Sequence, residues 1–206
     1  MNDVATPISP KEQQILKGAG EAFLHHGFEG ASTDEIARRA GVSKATVYKY
    51  FPDKRALFRA YVTEACRVHS KRVFELPEET PLKEALAHIA HNFVLLLTSE
   101  EPMAVFRLVV AEGARFPELA DAFYEAGPML GHRRIRAVLQ RAKDRAELAI
   151  DDVGLAASHF EQLCKTDLFL RHVFFQEKEA EPAEVDRIAR AAVDVFLRAY
   201  STVHAG

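Results

Sequence analysis

The sequence has few of the features that mark secreted, metal-stabilised or membrane proteins. Its two cysteines, Cys66 and Cys164, lie far apart with no Cys-x-x-Cys pair. A disulfide framework or a zinc knuckle therefore has no support, and buried thiols in a reducing compartment are expected. The longest apolar block, 93-FVLLL-97, is far shorter than the roughly 18 residues of a membrane span. Because the start has no basic end followed by an apolar run, we expect a soluble, cytoplasmic protein with no membrane partner.

The short motifs of common catalytic sites are also missing. There is no glycine-rich phosphate loop, Gly-x-Ser-x-Gly elbow or His-Glu-x-x-His zinc motif. Glu84, His88 and His91 share a helical stripe that could hold a divalent metal, but it lies opposite the apolar stripe and is expected to face water. We therefore expect no enzyme activity, no cofactor and no metal. An enzyme of unrecognised type is a weaker alternative.

Helical periodicity is present from end to end. Apolar residues recur every 3.6 positions, whereas the alternation typical of strands never lasts more than a few residues. The sequence therefore predicts an all-α protein. Ser9 and Ser32 each stand three residues before a glutamate, as in a capping box, and Gly27 and Gly41 fit left-handed helix stops. Later helices are predicted near 54–74, 81–97, 103–114, 117–143 with a bend at Pro128, 152–176 and 183–203.

The net charge of −3 is unevenly distributed. Residues 36–60 carry one acid, Asp53, against Arg38, Arg39, Lys44, Lys49, Lys54, Arg55 and Arg59. This polarity is expected if one end of the chain meets phosphate and the acidic remainder keeps the protein soluble, although a solvated charge run is the alternative. We predict two domains: a DNA-binding domain at 1–60 and a larger helical bundle at 61–206.

The segment 32-STDEIARRAGVSKATVYKYFPDKRALF-58 fits a helix-turn-helix. Its inward face would consist of Ile36, Ala40, Val42, Val47 and Tyr50. Gly41 would turn the chain and Ser43 would cap the second helix, whose start and outward face could enter a major groove. The residues left for DNA are Lys44, Thr46, Tyr48 and Lys49, with Thr33 and Lys54 at helix N-termini that favour phosphate. Packing for Tyr48 and a solvated charge for Lys54 are the alternatives.

This segment resembles the TetR family of bacterial transcriptional regulators. The resemblance covers residues 10–58 and rests on HHGFEGAST and on IARRAGVSKATVYKYFPDKRALF. It implies that operator DNA is touched by Thr33, Ser43, Lys44, Ala45, Tyr48, Lys49 and Lys54. It also implies a C-terminal domain for ligand binding and dimerisation, and that a ligand lowers DNA affinity. The segment 106-FRLVVAEGARFPELADAFYEAGP-128 resembles an AefR-like subset.

Two further sites are predicted in the bundle. Because 93-FVLLL-97 is apolar all round, it favours a pocket for a small, largely apolar effector, with simple core packing as the alternative. The predicted walls are Phe93, Leu97, Phe106, Val110, Phe123 and Phe160. Near-heptad stripes on the last two long helices predict a homodimer interface, formed by Phe160, Leu163, Val185, Ala189, Ala192 and Phe196. We predict a repressor released from operator DNA by its effector; the alternative is an effector-free architectural DNA-binding protein.

Overall fold

The computed structural model describes residues 8–175 and 180–202, and these parts of the chain are almost entirely helical. The helices are α1 Pro10–Gly30, α2 Thr33–Arg39, α3 Lys44–Tyr50, α4 Lys54–Phe74, α5 Leu82–Thr98, α6 Glu100–Gly113, α7 Pro117–Tyr124, α8 Leu130–Asp144, α9 Val153–Phe175 and α10 Pro182–Tyr200. A π-helical turn, Glu125–Met129, joins α7 to α8. Apart from an isolated bridge between Leu148 and Ser201, the described residues form no strand. The prediction of an all-α protein is confirmed.

The first two helix starts use the predicted serine caps. Ser9 and Glu12 form a complete capping box, in which each side chain bonds the other residue's backbone N–H. Ser32 accepts a hydrogen bond from the Glu35 backbone N–H at 3.1 Å. The Glu35 carboxylate instead accepts hydrogen bonds from two arginines of α2, so only the serine half of the second box was predicted correctly.

Several helices are interrupted or joined at specific residues. Gly27 breaks α1 with φ 72°, and Gly41 follows α2 with φ 61°, as predicted for left-handed positions. Pro128 lies inside the π-helical turn, at the position where a bend was predicted. The interruption of α9 at Thr166, where φ is 44° and ψ is −162°, was not predicted. A β-branched residue rarely adopts a positive φ, so no propensity rule points to threonine here.

The helices divide into two compact units. The first ends at Ala65 and also takes in Leu108–Phe123, whereas the second consists of Cys66–Arg107 and the chain from Tyr124 onward. Both α4 and α6 therefore contribute residues to both units. The predicted boundary near residue 60 could not include the second segment, because periodicity orders helices along the chain and gives no long-range contacts. Contiguous domains at 1–60 and 61–206 stay a prediction.

The first unit has an aromatic core and a close helix crossing. Phe23 and Phe58 pack edge to face with ring centroids 5.1 Å apart, and Phe28 lies 5.3 Å from Phe58. Helices α1 and α2 approach each other at Gly18. A Cβ atom placed there would lie 2.7 Å from the Ala40 backbone nitrogen. The three nearest atoms, the nitrogen, Cα and Cβ of Ala40, cannot move away without a shift of the backbone. The crossing therefore requires glycine for steric reasons alone.

The second unit is built around one apolar core between α5, α8, α9 and α10. The fully buried rings of Phe160 and Phe196 meet edge to face, 5.3 Å apart. Burial raises the pKa of the Cys164 thiol in this core to about 12 and that of Cys66 on α4 to about 11. Both cysteines are free thiols, and the raised pKa values disfavour the thiolate, which is the reactive form.

The predicted dimer residues lie in this core. Five of them are at most 4% exposed: Phe160, Val185, Ala189, Ala192 and Phe196. Leu163 is partly buried against the same cluster. These five side chains pack inside their own chain and offer little surface to a second one, so their part in a dimer interface stays a prediction. Heptad-like spacing identifies an apolar stripe on a helix, but it does not tell whether the opposing helix belongs to the same chain or to another.

Candidate nucleic-acid interface

Helices α2 and α3 and the turn between them form the predicted helix-turn-helix. Beyond Gly41, the Val42 N–H donates to the Ala37 carbonyl at 3.0 Å. The Ser43 hydroxyl caps α3 by accepting from the Thr46 N–H at 3.0 Å. Val47 is buried, which seats α3 on the unit's core. Helix α3 is thus held by its inward side, and its start and outward side stay accessible.

A glutamine that sequence reasoning overlooked also holds the turn in place. The Gln14 side-chain amide donates to the Ala40 carbonyl at 2.6 Å, which ties α1 to the end of α2. The same amide nitrogen would lie 3.6 Å from a Cβ atom at Gly41. The sequence shows only that Gln14 is a polar residue near the start of an apolar helix. That pattern does not identify its partner, Ala40, 26 residues away.

The predicted DNA-binding residues of α2 and α3 form one exposed surface. Ser43, Lys44, Ala45, Tyr48 and Lys49 are exposed, and Thr46 and Thr33 are partly so. The Tyr48 hydroxyl lies 3.5 Å from the Thr33 hydroxyl, so the outward side of α3 adjoins the start of α2. A phosphate at this junction could accept hydrogen bonds from both helices. As contacts to DNA, these residues stay a prediction.

Acidic residues of α2 modify the charge of this surface. Lys44 forms an ion pair with Asp34 at 2.9 Å, and the hydrogen bond to that carboxylate raises the lysine pKa. The Arg38 hydrogen bond, followed by contributions from Arg39, lowers the pKa of Glu35 to about 2 despite the opposing effect of desolvation. The predicted contact of Lys44 with a phosphate would therefore have to replace its ion pair with Asp34. Sequence reasoning missed Asp34, which lies ten residues before Lys44.

Lys54 has a structural role that differs from the predicted one. Its ammonium group donates to the carbonyls of Glu29 at 2.9 Å and Ala31 at 3.1 Å, and it lies 4.9 Å from the centre of the Phe28 ring. These carbonyls end α1, where helix C-termini leave acceptors without intrahelical partners. Desolvation lowers the Lys54 pKa. A phosphate contact for Lys54 stays a prediction, and it would compete with this cap.

Replacing Lys54 with methionine is expected to destabilise the first unit. Methionine keeps the apolar stem but removes the donor to the Glu29 and Ala31 carbonyls. Because these bonds are exposed or only partly buried, the expected cost is about 0.5–1.5 kcal/mol in the free energy of unfolding. Lys49→Met is the matched control, because Lys49 is exposed on α3, and it should change the unfolding free energy by less than about 0.5 kcal/mol. Urea unfolding followed by circular dichroism measures both. Equal midpoints for the two variants would contradict the capping role.

The predicted effector-pocket residues are not all in one unit. Phe93, Leu97, Phe106 and Phe160 belong to the second unit, and Val110 and Phe123 belong to the first. Phe106 packs on Phe169 with ring centroids 5.5 Å apart. Val110 is 64% exposed, which does not suit an enclosing wall. The pocket stays a prediction, and its best-placed residues are the partly buried Phe93, Leu97 and Phe106.

Two residues of the helical stripe that could hold a divalent metal, His88 and His91, make other contacts. His91 lies 3.0 Å from Asp186, and the His88 ring lies 3.3 Å from the Arg72 carbonyl. Among the residues that the structure describes, no three potential ligands gather into a metal-binding group. Over the same residues, no helix combines the length and apolarity that crossing a bilayer would need.

Comparison with known proteins agrees with this geometry. Residues 15–61 match the family model of bacterial regulatory proteins of the tetR family, and residues 84–202 match that of the AefR-like transcriptional repressor C-terminal domain. An uncharacterized HTH-type transcriptional regulator from Mycobacterium tuberculosis is 29% identical over 146 residues, which are 70% of this chain and 68% of that protein.

Solved structures show the same similarity over nearly the whole chain. A TetR-family regulator from Mesorhizobium loti has a TM-score of 0.84 and 31% identity, covering 93% of this chain and 97% of that one. The flavonoid-responsive regulator FrrA has a TM-score of 0.80 and 33% identity with the same coverage. With its helix-turn-helix, its helical second unit and both family matches, the chain belongs to the TetR family of bacterial transcriptional regulators and carries an AefR-like C-terminal domain.

Proposed function

We propose that this protein is a homodimeric repressor that a small, largely apolar ligand releases from operator DNA. The observation that carries the proposal is the inclusion of Leu108–Phe123 in the helix-turn-helix unit. The AefR-like model that matches the second half of the chain is described as a transcriptional repressor, which supports the direction of the effect.

Polar contacts join this segment to the DNA-binding helices. The Glu112 carboxylate accepts a hydrogen bond from the Phe28 N–H at 3.2 Å, next to the break in α1. Arg55, in the first turn of α4, forms an ion pair with Glu118 at 3.2 Å. The segment therefore contacts both helices that flank the helix-turn-helix in sequence.

Aromatic and charged groups extend the same contact. Phe116 packs edge to face on Phe28, with ring centroids 4.8 Å apart. The Arg55 and Arg115 guanidinium groups lie 5.7 Å and 5.3 Å from the Phe116 ring centre, and Arg115 also pairs with Glu29. Such a packed patch moves as one body more easily than it deforms, because close-packed side chains transmit displacement.

Chain continuity gives a ligand a way to act on this patch. Helix α6 continues without interruption from Arg107 of the second unit into Leu108 of the first, and α4 crosses in the same way at Ala65 and Cys66. A ligand that wedges the helices of the second unit apart would displace α6 or α4 along its axis. Since a dimer on DNA requires its two recognition helices about one helical turn apart, a small shift weakens both half-sites.

The ligand class follows from the chemistry of the second unit. Its partly buried aromatic residues, Phe93, Phe106 and Phe169, offer apolar and stacking surface. FrrA, which is 33% identical to this chain, is named as responsive to flavonoids, which are aromatic compounds. We therefore propose an apolar ligand with at least one aromatic ring.

Linkage between ligand and operator tests the proposal. Selection from genomic fragments would supply the operator, and calorimetric titration of a ligand hit with and without that DNA would supply the coupling. We expect a coupling of about 1–3 kcal/mol, or about 5- to 150-fold, and the same factor must appear in both directions. Equal ligand affinities in the two titrations would favour the effector-free architectural alternative.

A matched pair of variants locates the coupling. Glu112→Ala removes the acceptor of the Phe28 N–H, whereas Glu112→Gln keeps an acceptor oxygen of similar reach. We expect the alanine variant to lose most of the ligand–operator coupling and the glutamine variant to retain it. Unchanged coupling in Glu112→Ala would show that the segment is not part of the transmission.

The proposed dimer interface uses the exposed sides of α9 and α10. Large apolar side chains are exposed there: Leu155, Leu170, Phe174 and Phe175 on α9 and Val195 on α10. Exposed apolar area of this kind marks an association surface, and two antiparallel or crossed helices from each chain can form an isologous contact. These residues replace the buried stripe that the heptad pattern suggested.

Charging this surface is expected to give monomers. Leu170→Glu combined with Val195→Glu would place two carboxylates in each half of the interface, where removal from water is costly. Val110→Glu is the matched control, because Val110 is 64% exposed and lies on α6. Sedimentation at micromolar concentration should show monomers for the double variant and dimers for the control. Dimers in both would place the interface elsewhere.

A further inference from the structure

A cleft in the second unit lies outside every site described above. It has a volume of about 290 Å³ and is bordered by the end of α4, the loop that follows it, the start of α5 and one side of α8. None of the six predicted effector-pocket residues lines it. Its volume is close to the lower end of the roughly 300–1,000 Å³ typical of ligand pockets. We call it the α4–α8 cleft.

The floor of the α4–α8 cleft is apolar. Leu82 and Ile89 of α5 are buried and belong to the core of the second unit. Phe74, Leu76 and Val138 are partly buried and pack against that core. The Phe74 ring approaches α8 closely, since a Cβ atom at Gly131 would lie 3.9 Å from its edge. An apolar molecule in the cleft would therefore rest on side chains that are held in place.

The mouth of the α4–α8 cleft is cationic. The cleft is lined by two arginines of α8, Arg134 and Arg141, and by Arg145, the residue that follows α8. The lining also includes one carboxylate, that of Glu78. Arg145 is paired with Glu147 at 2.6 Å. Within the described residues, Arg134 and Arg141 have no ion-pair partner, although the Arg134 guanidinium lies 5.7 Å from the Phe74 ring centre. Two guanidinium groups over an apolar floor therefore remain available to an anion.

We propose that the α4–α8 cleft binds a small organic anion with an apolar body, of the aromatic carboxylate class. The apolar body lies against Phe74, Leu76 and Val138, and the carboxylate accepts hydrogen bonds from Arg134 and Arg141. Guanidinium groups match carboxylates in geometry and form the stronger, charge-assisted hydrogen bonds. A neutral molecule of the same shape would gain only the apolar contact, so the site discriminates by charge.

The test compares two probes of equal shape, 2-naphthoate and 2-naphthamide, by calorimetric titration of the full chain. We expect the carboxylate to bind about tenfold more tightly than the amide, with an affinity that falls as salt is added. Arg134→Gln combined with Arg141→Gln should remove this preference and leave amide binding unchanged. Arg133→Gln, on the same helix but paired with Glu125, should behave like the unmodified protein.

A filling variant tests the location independently of charge. Ala137 lines the cleft from its exposed side, and Ala137→Phe should weaken the binding of both probes by narrowing the opening. The proposal is overturned if naphthoate does not bind at millimolar concentration, or if its affinity is the same in the double arginine variant. Undiminished binding of both probes to Ala137→Phe would equally overturn it, because the molecules would then bind elsewhere. These measurements need no DNA, so they are independent of the proposed repressor function.

Discussion

Replacing Gly18 with valine is expected to destabilise the helix-turn-helix unit severely and to abolish operator binding. A Cβ atom at this position would lie 2.7 Å from the Ala40 backbone nitrogen and 3.0 Å from its Cα atom. Those atoms belong to the end of α2, so relief requires α1 and α2 to separate. Overpacking in a close-packed region typically costs about 1–3 kcal/mol, and contact with backbone places this variant at or above the upper end. Thermal unfolding followed by circular dichroism measures the effect.

Gly30→Val is the matched control for this prediction. Gly30 lies in the same helix, but the nearest atom to an added Cβ is the His26 Cβ at 3.5 Å, an ordinary contact distance. The same change of residue should therefore shift the unfolding free energy by less than about 1 kcal/mol. If both variants melted at the same temperature, steric closeness at the α1–α2 crossing would not be what requires glycine.

Removing Lys44 or Tyr48 is expected to cause the largest loss of operator affinity among variants that leave the fold intact. Both side chains are exposed on α3, so Lys44→Ala and Tyr48→Ala should barely change unfolding. Each direct contact is worth about 1–3 kcal/mol. A homodimer carries the change in both half-sites, so the loss is expected to reach about 2–6 kcal/mol per dimer if the sites add. Mobility-shift titrations at several salt concentrations measure affinity and salt dependence together.

Salt dependence separates the roles of the two residues. If Lys44 binds phosphate, its removal should flatten the slope of affinity against salt, whereas Tyr48→Ala should leave the slope unchanged. Lys83→Ala, an exposed lysine of α5, is the control and should alter neither. Asp34→Asn should strengthen binding slightly, because it frees Lys44 from its exposed ion pair. Unchanged affinity in both alanine variants would show that this side of α3 does not face DNA.

Local rules predicted much of the DNA-binding unit from the sequence. Ser9, Ser43 and Gly41 act through neighbours within four residues, and the caps and the turn follow from chemistry that the sequence displays. Helical periodicity also predicted that Val47 would face inward and pack α3 against the rest of the unit, and Val47 is buried. Short-range stereochemistry was therefore sufficient to predict the helix caps and the turn.

Long-range contacts explain what the sequence did not reveal. The Lys54 ammonium bonds carbonyls more than 20 residues away, and Asp34 holds Lys44 across the turn. Charged residues such as these are equally common on a solvated surface. The sequence around each of them therefore does not identify its partner. The apolar stripe of α10 that includes Phe196 has the same sequence pattern whether it forms a dimer interface or the core of one chain. Its packing against α9 in the same chain assigns it to the core.

The hydrogen bond between the Phe28 N–H and Glu112 spans 84 residues. This separation affects how the first unit folds during synthesis and how it can be transferred to another protein. On the ribosome, α1 to α3 emerge long before Glu112, Phe116 and Glu118, so the patch they complete can form only after half the chain has been synthesised. A fragment ending at Ala65 would lack it altogether. A chimera that joins this unit to the ligand-binding domain of another regulator should therefore include residues 108–123. Chimeras joined within α4 alone are expected to fold poorly.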